Sequence, residues 1–167
     1  MLFGLGFDAQ VAHDFAIQKT RGLTTYIRLT IKNFLIAPTY PFDITVEGHT
    51  FNTDAYFLSV ANSNQFGNNL KIAPRASLDD GLLDVVVVKK MNRLQMAWSI
   101  LQQMRYGEPG LHEDMNFHKR DVLYFQTDKV IIHNPSLAPM HIDGEPVETS
   151  KKLDIQVLPA AFKLLKP

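Results

Sequence analysis

Near its carboxyl end the chain has two carboxylates on either side of a glycine, in the segment HIDGEP over residues 141–146. A strand ending here would put His141 and Asp143 on one face, because side chains alternate along a strand. Gly144 would let the chain turn sharply between the two acids. Two interpretations stay open. Asp143 and Gly144 form a plain turn with Glu145 in solvent, or the corner aims both acids into a cleft where Glu145 takes a proton from an alcohol.

A second acidic segment, PRASLDDGLLDV over residues 74–85, has Asp79 and Asp80 before Gly81 and then carries Asp84 on an apolar run. A tight loop of this kind could hold a hard cation through one carboxylate and nearby main-chain oxygens. The loop lacks the ligand number of an EF-hand, so such a cation would keep much of its water, as magnesium does. The competing interpretation is a β-turn centred on Asp-Gly, which the residue types alone favour.

The segment GLGFDA over residues 4–9 matches the spacing of a dinucleotide-binding glycine fingerprint. A true fingerprint lies on the first turn of a βαβ unit, whereas the next element predicted here is a second helix. We therefore favour glycines that let neighbouring groups approach closely. Asp8, at the start of the first predicted helix, could cap that helix by accepting bonds from its free N–H groups.

Other catalytic patterns are missing from the sequence. The 6 histidines have no metal-ligand spacing such as His-Glu-x-x-His, which argues against zinc. There is no Gly-x-Ser-x-Gly elbow, and with 0 cysteines the thiol hydrolases are excluded. The lack of cysteine also fits a reducing compartment, so we expect a cytoplasmic protein.

Length and composition fit one globular domain. The 167 residues are 46% hydrophobic and 20% charged, which allows a sizeable core. The 17 Lys and Arg balance the 17 Asp and Glu, so no overall field attracts phosphate backbones and we expect no nucleic-acid partner. No run approaches the roughly 20 apolar residues of a membrane-spanning helix. Residues 1–7 run into the glycine segment without a turn or cap, which suggests a piece of a longer protein.

The elements that must position these segments are mostly strands. Apolar residues at helical spacing predict helices over residues 9–20, 24–37 and 92–106. Alternating residues on both sides of Gly48 predict a hairpin. Further β-rich runs predict strands over residues 56–61, 82–88, 122–127, 129–133, 140–143, 153–158 and 161–165. Strands joined by short turns predict a mainly β fold with inserted helices, an antiparallel two-sheet β-sandwich.

Four segments occur in an order and spacing typical of one family: GLGFDAQV, VANSNQFGNNLKIAPRASLDDGLLDVVVV, HIDGEP and LDIQVLPAAFKLLKP. On these segments the chain resembles the C-terminal domain of bacterial diacylglycerol kinase-like lipid kinases, which are related to sphingosine and ceramide kinases and to NAD kinases. The resemblance covers nearly the whole chain, and the four motifs together are far more specific than any one of them.

The resemblance implies a two-domain enzyme. An N-terminal α/β domain with a Gly-Gly-Asp-Gly-Thr loop would bind ATP, and a C-terminal β-sandwich would complete the cleft. This loop is not in the sequence. Residues 1–167 are therefore expected to be the acceptor-substrate domain without its ATP-binding partner, and to be inactive alone. The intact enzyme is expected to transfer the γ-phosphoryl group of ATP to a lipid hydroxyl such as that of diacylglycerol.

The resemblance also implies the residues of the active site. Glu145 would accept the proton of the lipid hydroxyl, with Asp143 close beside it. Asp8 and Asn62 would line the cleft between the domains, where the cofactor ATP is held mainly by the missing domain.

The resemblance further implies a structural Mg²⁺ site. Its ligands would be the Asp80 carboxylate and the main-chain oxygens of Ser77 and Leu82.

Two alternatives to a diacylglycerol kinase stay open. One is a sphingoid-base or NAD kinase-like enzyme, which differs in the acceptor, and the other is a non-catalytic lipid-binding module. We expect a lipid substrate as partner. Peripheral contact with a membrane surface and a homodimer are both left open.

Overall fold

The computed structural model describes residues 1–18, 36–63, 75–90 and 121–159, and the single positions Gly22, Thr25, Leu29, Thr30, Lys32, Asn33, Ala73 and Ala161. This part of the chain forms a 9-stranded antiparallel sheet with a 10-residue helix packed on it. In chain order the elements are β1 (Leu2–Gly6), α1 (Phe7–Ala16), β2 (Tyr40–Val46), β3 (His49–Ala61), β4 (Leu83–Lys89), β5 (Val122–Thr127), β6 (Lys129–His133), β7 (Met140–Ile142), β8 (Glu145–Val147) and β9 (Lys152–Gln156).

Strand β3 joins two leaves of this sheet, because its 13 residues are long enough to belong to both. Its first half pairs with β2, and its second half pairs with β1 on the same edge and with β4 on the other. One leaf therefore runs β8-β7-β1-β3-β4-β5 and the other β3-β2-β6-β9. The register shifts between Ala55 and Phe57, and an irregularity of this kind bends a strand.

The main core lies between the two leaves. Phe42 and Ile44 of β2, Leu58 of β3, Val85 of β4 and Ile132 of β6 are completely buried in one apolar cluster. They alternate with residues of the opposite face, as strands with one face in a core must. The predicted mainly β, sandwich-like fold is confirmed, with its two layers formed by leaves of one curled sheet.

A second apolar cluster covers the outer face of the first leaf. It contains Val11 of α1, Tyr56 of β3, Val86 of β4 and Tyr124 of β5. Strand β4 is thus covered on both faces, which explains why its sequence is an unbroken run of valines and not an alternating one. Helix α1 contributes to this cover by folding back over β1.

Two hairpins have the same kind of two-residue turn. Glu47 and Gly48, at φ 50° and 78°, connect β2 to β3, and Asp143 and Gly144, at φ 50° and 84°, connect β7 to β8. Positive φ at both central positions gives the turn twist that suits flanking strands. The hairpin predicted at Gly48 is confirmed, and the HIDGEP segment also forms a tight hairpin.

Most predicted strands are observed with ends shifted by at most two residues, but two strands were not predicted. Strand β1 is buried at all 5 positions and contains two glycines, so it has no alternation to read. Strand β8 consists of Glu, Pro and Val, of which the first two are poor strand formers.

The predicted helices fare differently. The first begins at Phe7 and ends at Ala16, earlier at both ends than the predicted 9–20. Within the predicted second helix, the described positions Thr25, Leu29, Thr30, Lys32, Asn33 and Ile36 are helical. The predicted helix over 92–106 lies outside the described residues, as does all of the predicted strand 161–165 except Ala161. Among the described residues, no helix has the length and apolar character needed to cross a lipid bilayer.

Candidate functional site

The ends of five neighbouring strands, β8, β7, β1, β3 and β4, meet at one end of the first leaf. Strand register aligns their terminal residues in a row, from Glu145 and Ile142 across β1 to Ala61 and Asp84. Turns and loops at this end carry most of the predicted site residues. We call this end the polar rim and define it by Asn62, Asp80, Asp84, Asp143 and Glu145.

The polar rim is too wide to form one compact site. Neighbouring strands lie about 4.8 Å apart, so the four spacings from Glu145 on β8 to Asp84 on β4 amount to about 19 Å. Asp80 belongs to the loop that leads into β4. The loop that holds Asp80 and the turn that holds Glu145 therefore lie on strands that are not neighbours.

Asp143 is bound to the start of β1 by both its backbone and its side chain. Its N–H donates to the carbonyl oxygen of Leu2 at 2.7 Å, and its Oδ1 accepts the N–H of Leu2 at 2.6 Å. Asn62, directly after β3, continues the pairing of β3 with β1, because its N–H donates to the carbonyl oxygen of Met1 at 3.0 Å. The structure thus brings Asp143 and Asn62 to the same end of β1, one on each flank.

Glu145 differs from Asp143 in having no partner among the residues that the structure describes. It is exposed, and its side chain makes no hydrogen bond or ion pair with any residue that the structure describes. It lies opposite Ile142 in the β7–β8 ladder, and opposite residues of an antiparallel pair point to the same face. Its carboxylate is therefore open to a molecule approaching from solvent, on a hairpin whose turn is fixed.

Asp8 lies beneath β1, in a buried polar cluster on the outer face of the first leaf. Ser59 of β3 and His141 of β7 are both directly opposite Gly4 of β1, so the three residues form a row across the sheet. The Asp8 carboxylate sits over the middle of that row. Its Oδ2 accepts the Ser59 hydroxyl at 2.8 Å and lies 3.3 Å from His141 Nε2, and its Oδ1 accepts the Ala9 N–H at 2.8 Å.

This cluster explains the first glycine of the GLGFDA segment. A Cβ atom at Gly4 would lie 2.3 Å from Asp8 Oδ2 and 2.3 Å from His141 Nε2. Gly6 has φ +94°, and a Cβ there would lie 2.4 Å from the carbonyl oxygen of Tyr56. The glycines therefore allow close approach, as the sequence indicated. The strands beside β1 are antiparallel to it, so a βαβ dinucleotide site is not formed.

Asp8 is not the N-cap residue, but it does accept one of the free N–H groups of the first helical turn, because its Oδ1 binds the Ala9 N–H. The N-cap residue is Gly6, which has no side chain to cap with, and Asp8 lies within the first helical turn. A carboxylate there is favoured by the positive end of the helix dipole. Only 8% of the Asp8 side chain is exposed, so its hydrogen bonds are directed into the protein.

His141 connects this buried cluster to the exposed corner. The Gly144 N–H donates to His141 Nδ1 at 3.2 Å, while the other ring nitrogen faces Asp8. Beside it, His13 Nε2 of α1 lies 2.9 Å from the carbonyl oxygen of Met140. Helix α1 thus holds two consecutive residues of β7. Neither Ser59 nor His141 was predicted as a site residue, although His141 was placed on the same strand face as Asp143.

The loop before β4 forms a turn stabilised by its own acids. Asp80 Oδ1 accepts the Leu82 N–H at 2.9 Å, and Ser77 Oγ–H donates to Asp79 Oδ1 at 2.5 Å. Gly81 has φ 74°. The backbone bends at Asp80 and Gly81, and the bond from the Leu82 N–H to the Asp80 side chain holds that bend. The three predicted ligand positions, Ser77, Asp80 and Leu82, lie within this one loop and offer the hard oxygen donors that Mg²⁺ prefers.

A cluster of acids and histidines does not mark that site. Among the residues the structure describes, no group of three or more His, Cys, Asp or Glu side chains could hold a metal. A site with one carboxylate and two main-chain oxygens is not of that type, so the magnesium site stays a prediction.

Asp84 is a fully buried acid at the polar rim that the sequence analysis did not assign to a site. The Tyr124 hydroxyl donates to its Oδ1, and Gln126 Nε2 lies 3.3 Å from each of its oxygens. Burial raises the pKa of Asp84 to about 6; the Gln126 hydrogen bond lowers it, Asp80 raises it and Arg75 lowers it. The Arg75 guanidinium lies 6.0 Å from the centre of the Tyr124 ring.

The match to a family model identifies this arrangement. Residues 2–166 match the model described as the YegS C-terminal NAD kinase beta sandwich-like domain. The chain belongs to this family. The predicted resemblance to the C-terminal domain of diacylglycerol kinase-like proteins is therefore confirmed at the level of the YegS family, and the sandwich-like architecture agrees with the model's description.

Two relatives of this YegS C-terminal domain are named "Probable lipid kinase YegS-like". The one from Shewanella frigidimarina is 29% identical over 164 residues, which cover 97% of this chain and 50% of the relative. The one from Stenotrophomonas maltophilia is 24% identical over 166 residues, which cover 98% of this chain and 50% of the relative. The chain spans about half the length of the curated relatives it matches.

A solved structure has the same fold. A crystal structure of a diacylglycerol kinase from Bacillus anthracis matches 96% of this chain and 50% of its own chain, with a TM-score of 0.64 and 22% identity. At that identity the match supports the architecture of the YegS C-terminal domain.

The position of Gly4 beneath the Asp8 carboxylate gives a stability prediction. We expect Gly4→Ala to destabilise the domain by about 1–3 kcal/mol, because its methyl group would overpack the buried polar row. Urea denaturation would measure the loss. Gly48→Asn is the matched control, since Gly48 has nothing within 4 Å of a Cβ and Asn tolerates positive φ. Equal stability of Gly4→Ala and the wild type would contradict the packing of Asp8 over Gly4.

The raised pKa of Asp84 gives a prediction with pH. Its neutral form stabilises the folded state, and this contribution is complete below the unfolded pKa and lost as pH rises through about 6. We expect the stability of the wild type relative to Asp84→Asn to fall by roughly 2–3 kcal/mol between about pH 4 and pH 7. Urea denaturation across this range would measure it. The exposed Asp128→Asn is the control, and parallel curves for wild type and Asp84→Asn would contradict the prediction.

Proposed function

We propose that this domain is the acceptor side of an ATP-dependent lipid kinase that phosphorylates a lipid hydroxyl such as that of diacylglycerol. Two relatives over this region are named as lipid kinases, and the chain covers about half of each. The ATP-binding part would then belong to the other half of such a protein. The observation that carries the proposal is that Glu145 lies exposed on the fixed β7–β8 turn and binds none of the described residues.

Phosphoryl transfer asks the protein for positioning, charge neutralisation and a base for the attacking alcohol. Glu145 would take the proton from the lipid hydroxyl as the hydroxyl oxygen attacks the γ-phosphorus, and ADP would leave. Asp143 has its Oδ1 bound to the Leu2 N–H, so it would hold the corner beside the base. Magnesium with ATP would neutralise phosphate charge when bound.

The proposed roles of Asp8 and Asn62 in lining the cofactor cleft are supported to different degrees. Asn62 is half-buried at the polar rim, where a second domain could reach it. The Asp8 side chain is largely buried and already bound by Ser59, so in this domain it would act on the cleft through the residues that it holds.

The proton transfer proposed for Glu145 would serve several hydroxyl acceptors. A sphingoid base or NAD would present a hydroxyl with the same chemistry, and a non-catalytic lipid-binding module would need no base. Offering full-length protein and labelled ATP with diacylglycerol, sphingosine and NAD in parallel would separate these acceptors. We propose diacylglycerol as the substrate that is labelled.

The base assignment predicts the effect of one substitution. In the full-length protein we expect Glu145→Gln to lower kcat for diacylglycerol by about 100- to 10,000-fold, because the amide cannot accept the hydroxyl proton. Transfer of labelled phosphate into the lipid would measure it. The matched control is Glu148→Gln, an exposed acid three residues away, which should keep normal activity.

Two outcomes would count against this assignment. One is a Glu145→Gln enzyme with wild-type kcat. The other is residues 1–167 alone phosphorylating diacylglycerol, because the proposal assigns ATP binding to another part of the protein.

The magnesium site predicts a difference between two adjacent acids. We propose that the loop before β4 binds Mg²⁺ through Asp80, with main-chain oxygens of Ser77 and Leu82. Asp80→Asn should weaken Mg²⁺ binding by at least about 10-fold, measured by calorimetric titration of the full-length protein. Asp79→Asn should leave it nearly unchanged. Equal binding by both variants and the wild type would exclude Asp80 as a ligand.

A further inference from the structure

We propose that His141 is a positioning residue that holds the Asp143–Gly144–Glu145 corner in its working geometry by accepting the hydrogen bond from the Gly144 N–H. The inference rests on the proposed function, since the corner has a working geometry only if Glu145 is the base. It concerns a side chain that does not touch the substrate, because His141 is completely buried.

The ring of His141 spans the distance between a buried acid and an exposed turn. Its Nε2 lies 3.3 Å from Asp8 Oδ2, and its Nδ1 lies 3.2 Å from the Gly144 nitrogen. A histidine that only filled core volume would not need polar partners on both sides. Burying an imidazole without such partners is costly, so both contacts support one orientation of the ring.

The two contacts also assign the tautomer. A backbone N–H can only donate, so Nδ1 must offer its lone pair to Gly144. The proton of the neutral ring is then on Nε2, directed at Asp8 Oδ2. The same oxygen accepts the Ser59 hydroxyl, and Oδ1 accepts the Ala9 N–H. Every donor in this chain has an acceptor, which is the condition for a stable buried polar network.

At the corner, His141 accepts an N–H group that the hairpin ladder leaves free. In a two-residue hairpin the ladder uses the flanking residues, here Ile142 and Glu145, and leaves the two turn amides without ladder partners. The Asp143 N–H binds the Leu2 carbonyl oxygen, and the Gly144 N–H binds His141. With both amides bound, rotation of the two peptide groups that lead from Ile142 to Gly144, directly before Glu145, is restricted.

The position of His141 is in turn fixed from the helix side. Asp8 on α1 faces its Nε2, and the absence of a side chain at Gly4 makes room for that contact. One residue earlier, His13 of α1 contacts the Met140 carbonyl oxygen. The geometry of the exposed corner is thus set by a buried chain of contacts that begins on α1.

Two substitutions separate the two ring nitrogens. Asparagine places its side-chain oxygen near the position of Nδ1, so His141→Asn can still accept the Gly144 N–H but does not reach Asp8. Glutamine places its amide nitrogen near the position of Nε2, so His141→Gln can still donate to Asp8 but does not accept from Gly144. Comparing the two variants shows whether the contact with Gly144 or the contact with Asp8 positions Glu145.

In the full-length protein we expect His141→Asn to keep most of the wild-type kcat for diacylglycerol. His141→Gln should lower kcat by about 10- to 100-fold, with KM for ATP and lipid unchanged, because a small displacement of a reacting group costs this much. His133→Asn and His133→Gln, on the exposed face of β6, are the controls and should be fully active. A His141→Gln enzyme as active as the wild type, or more active than His141→Asn, would overturn the proposal.

Measurements without activity decide the question independently. Nitrogen-15 NMR of the wild type should show Nδ1 of His141 unprotonated and Nε2 protonated, and the Gly144 amide should exchange slowly with solvent. Exchange should stay slow in His141→Asn and become fast in His141→Gln. A protonated Nδ1, or a Gly144 amide that exchanges rapidly in the wild type, would overturn the proposal even if the variants failed to fold. If the wild type transferred no phosphate to any lipid, the proposed function would fail while these readouts still tested His141.

Discussion

The carboxylate of Asp8, buried over Gly4, is the interaction on which the other features depend. A buried charge is costly unless donors satisfy it, and this one receives donors from Ser59 on β3, His141 on β7 and its own helix. Because these donors come from three separate elements, one side chain fixes α1 against the sheet and sets the distance between β3 and β7. The glycine between them is required by the same contact.

The shape of the sheet determines where chemistry can occur. Strand β3 belongs to both leaves and so connects them directly. The side chains of the polar rim lie where the strands of the first leaf end. There the β7–β8 turn and β4 are four strand spacings apart, about 19 Å measured along the sheet. That spacing favours a structural role for any cation at Asp80, with the chemistry of proton transfer assigned to the other end of the rim.

Local patterns predicted the local structure well, and long-range contacts could not be read from them. The valine run of β4 and the turn at Gly48 were recognisable because each depends on neighbours in sequence. The contact between Asp8 and His141 joins residues 133 positions apart, and nothing in either segment specifies the other. Strand β1 was missed for the same reason, since its two glycines are explained by Asp8 and by β3 and not by strand propensity. Asp143 and Glu145 were predicted as site residues, but the contact between Asp8 and His141 was not predicted.

The acids at this end of the sheet divide into bound and unbound groups, and the division argues for the role proposed for Glu145. Asp143 accepts from Leu2, Asp80 from Leu82 and Asp84 from Tyr124. Each of these contacts occupies a lone pair and restricts the carboxylate to one orientation. Among the rim acids in the described part of the chain, Glu145 alone has neither restriction. A base must turn an oxygen toward its substrate. The rim acid that binds no described residue is therefore the one suited to the task, and the backbone beneath it must stay in place.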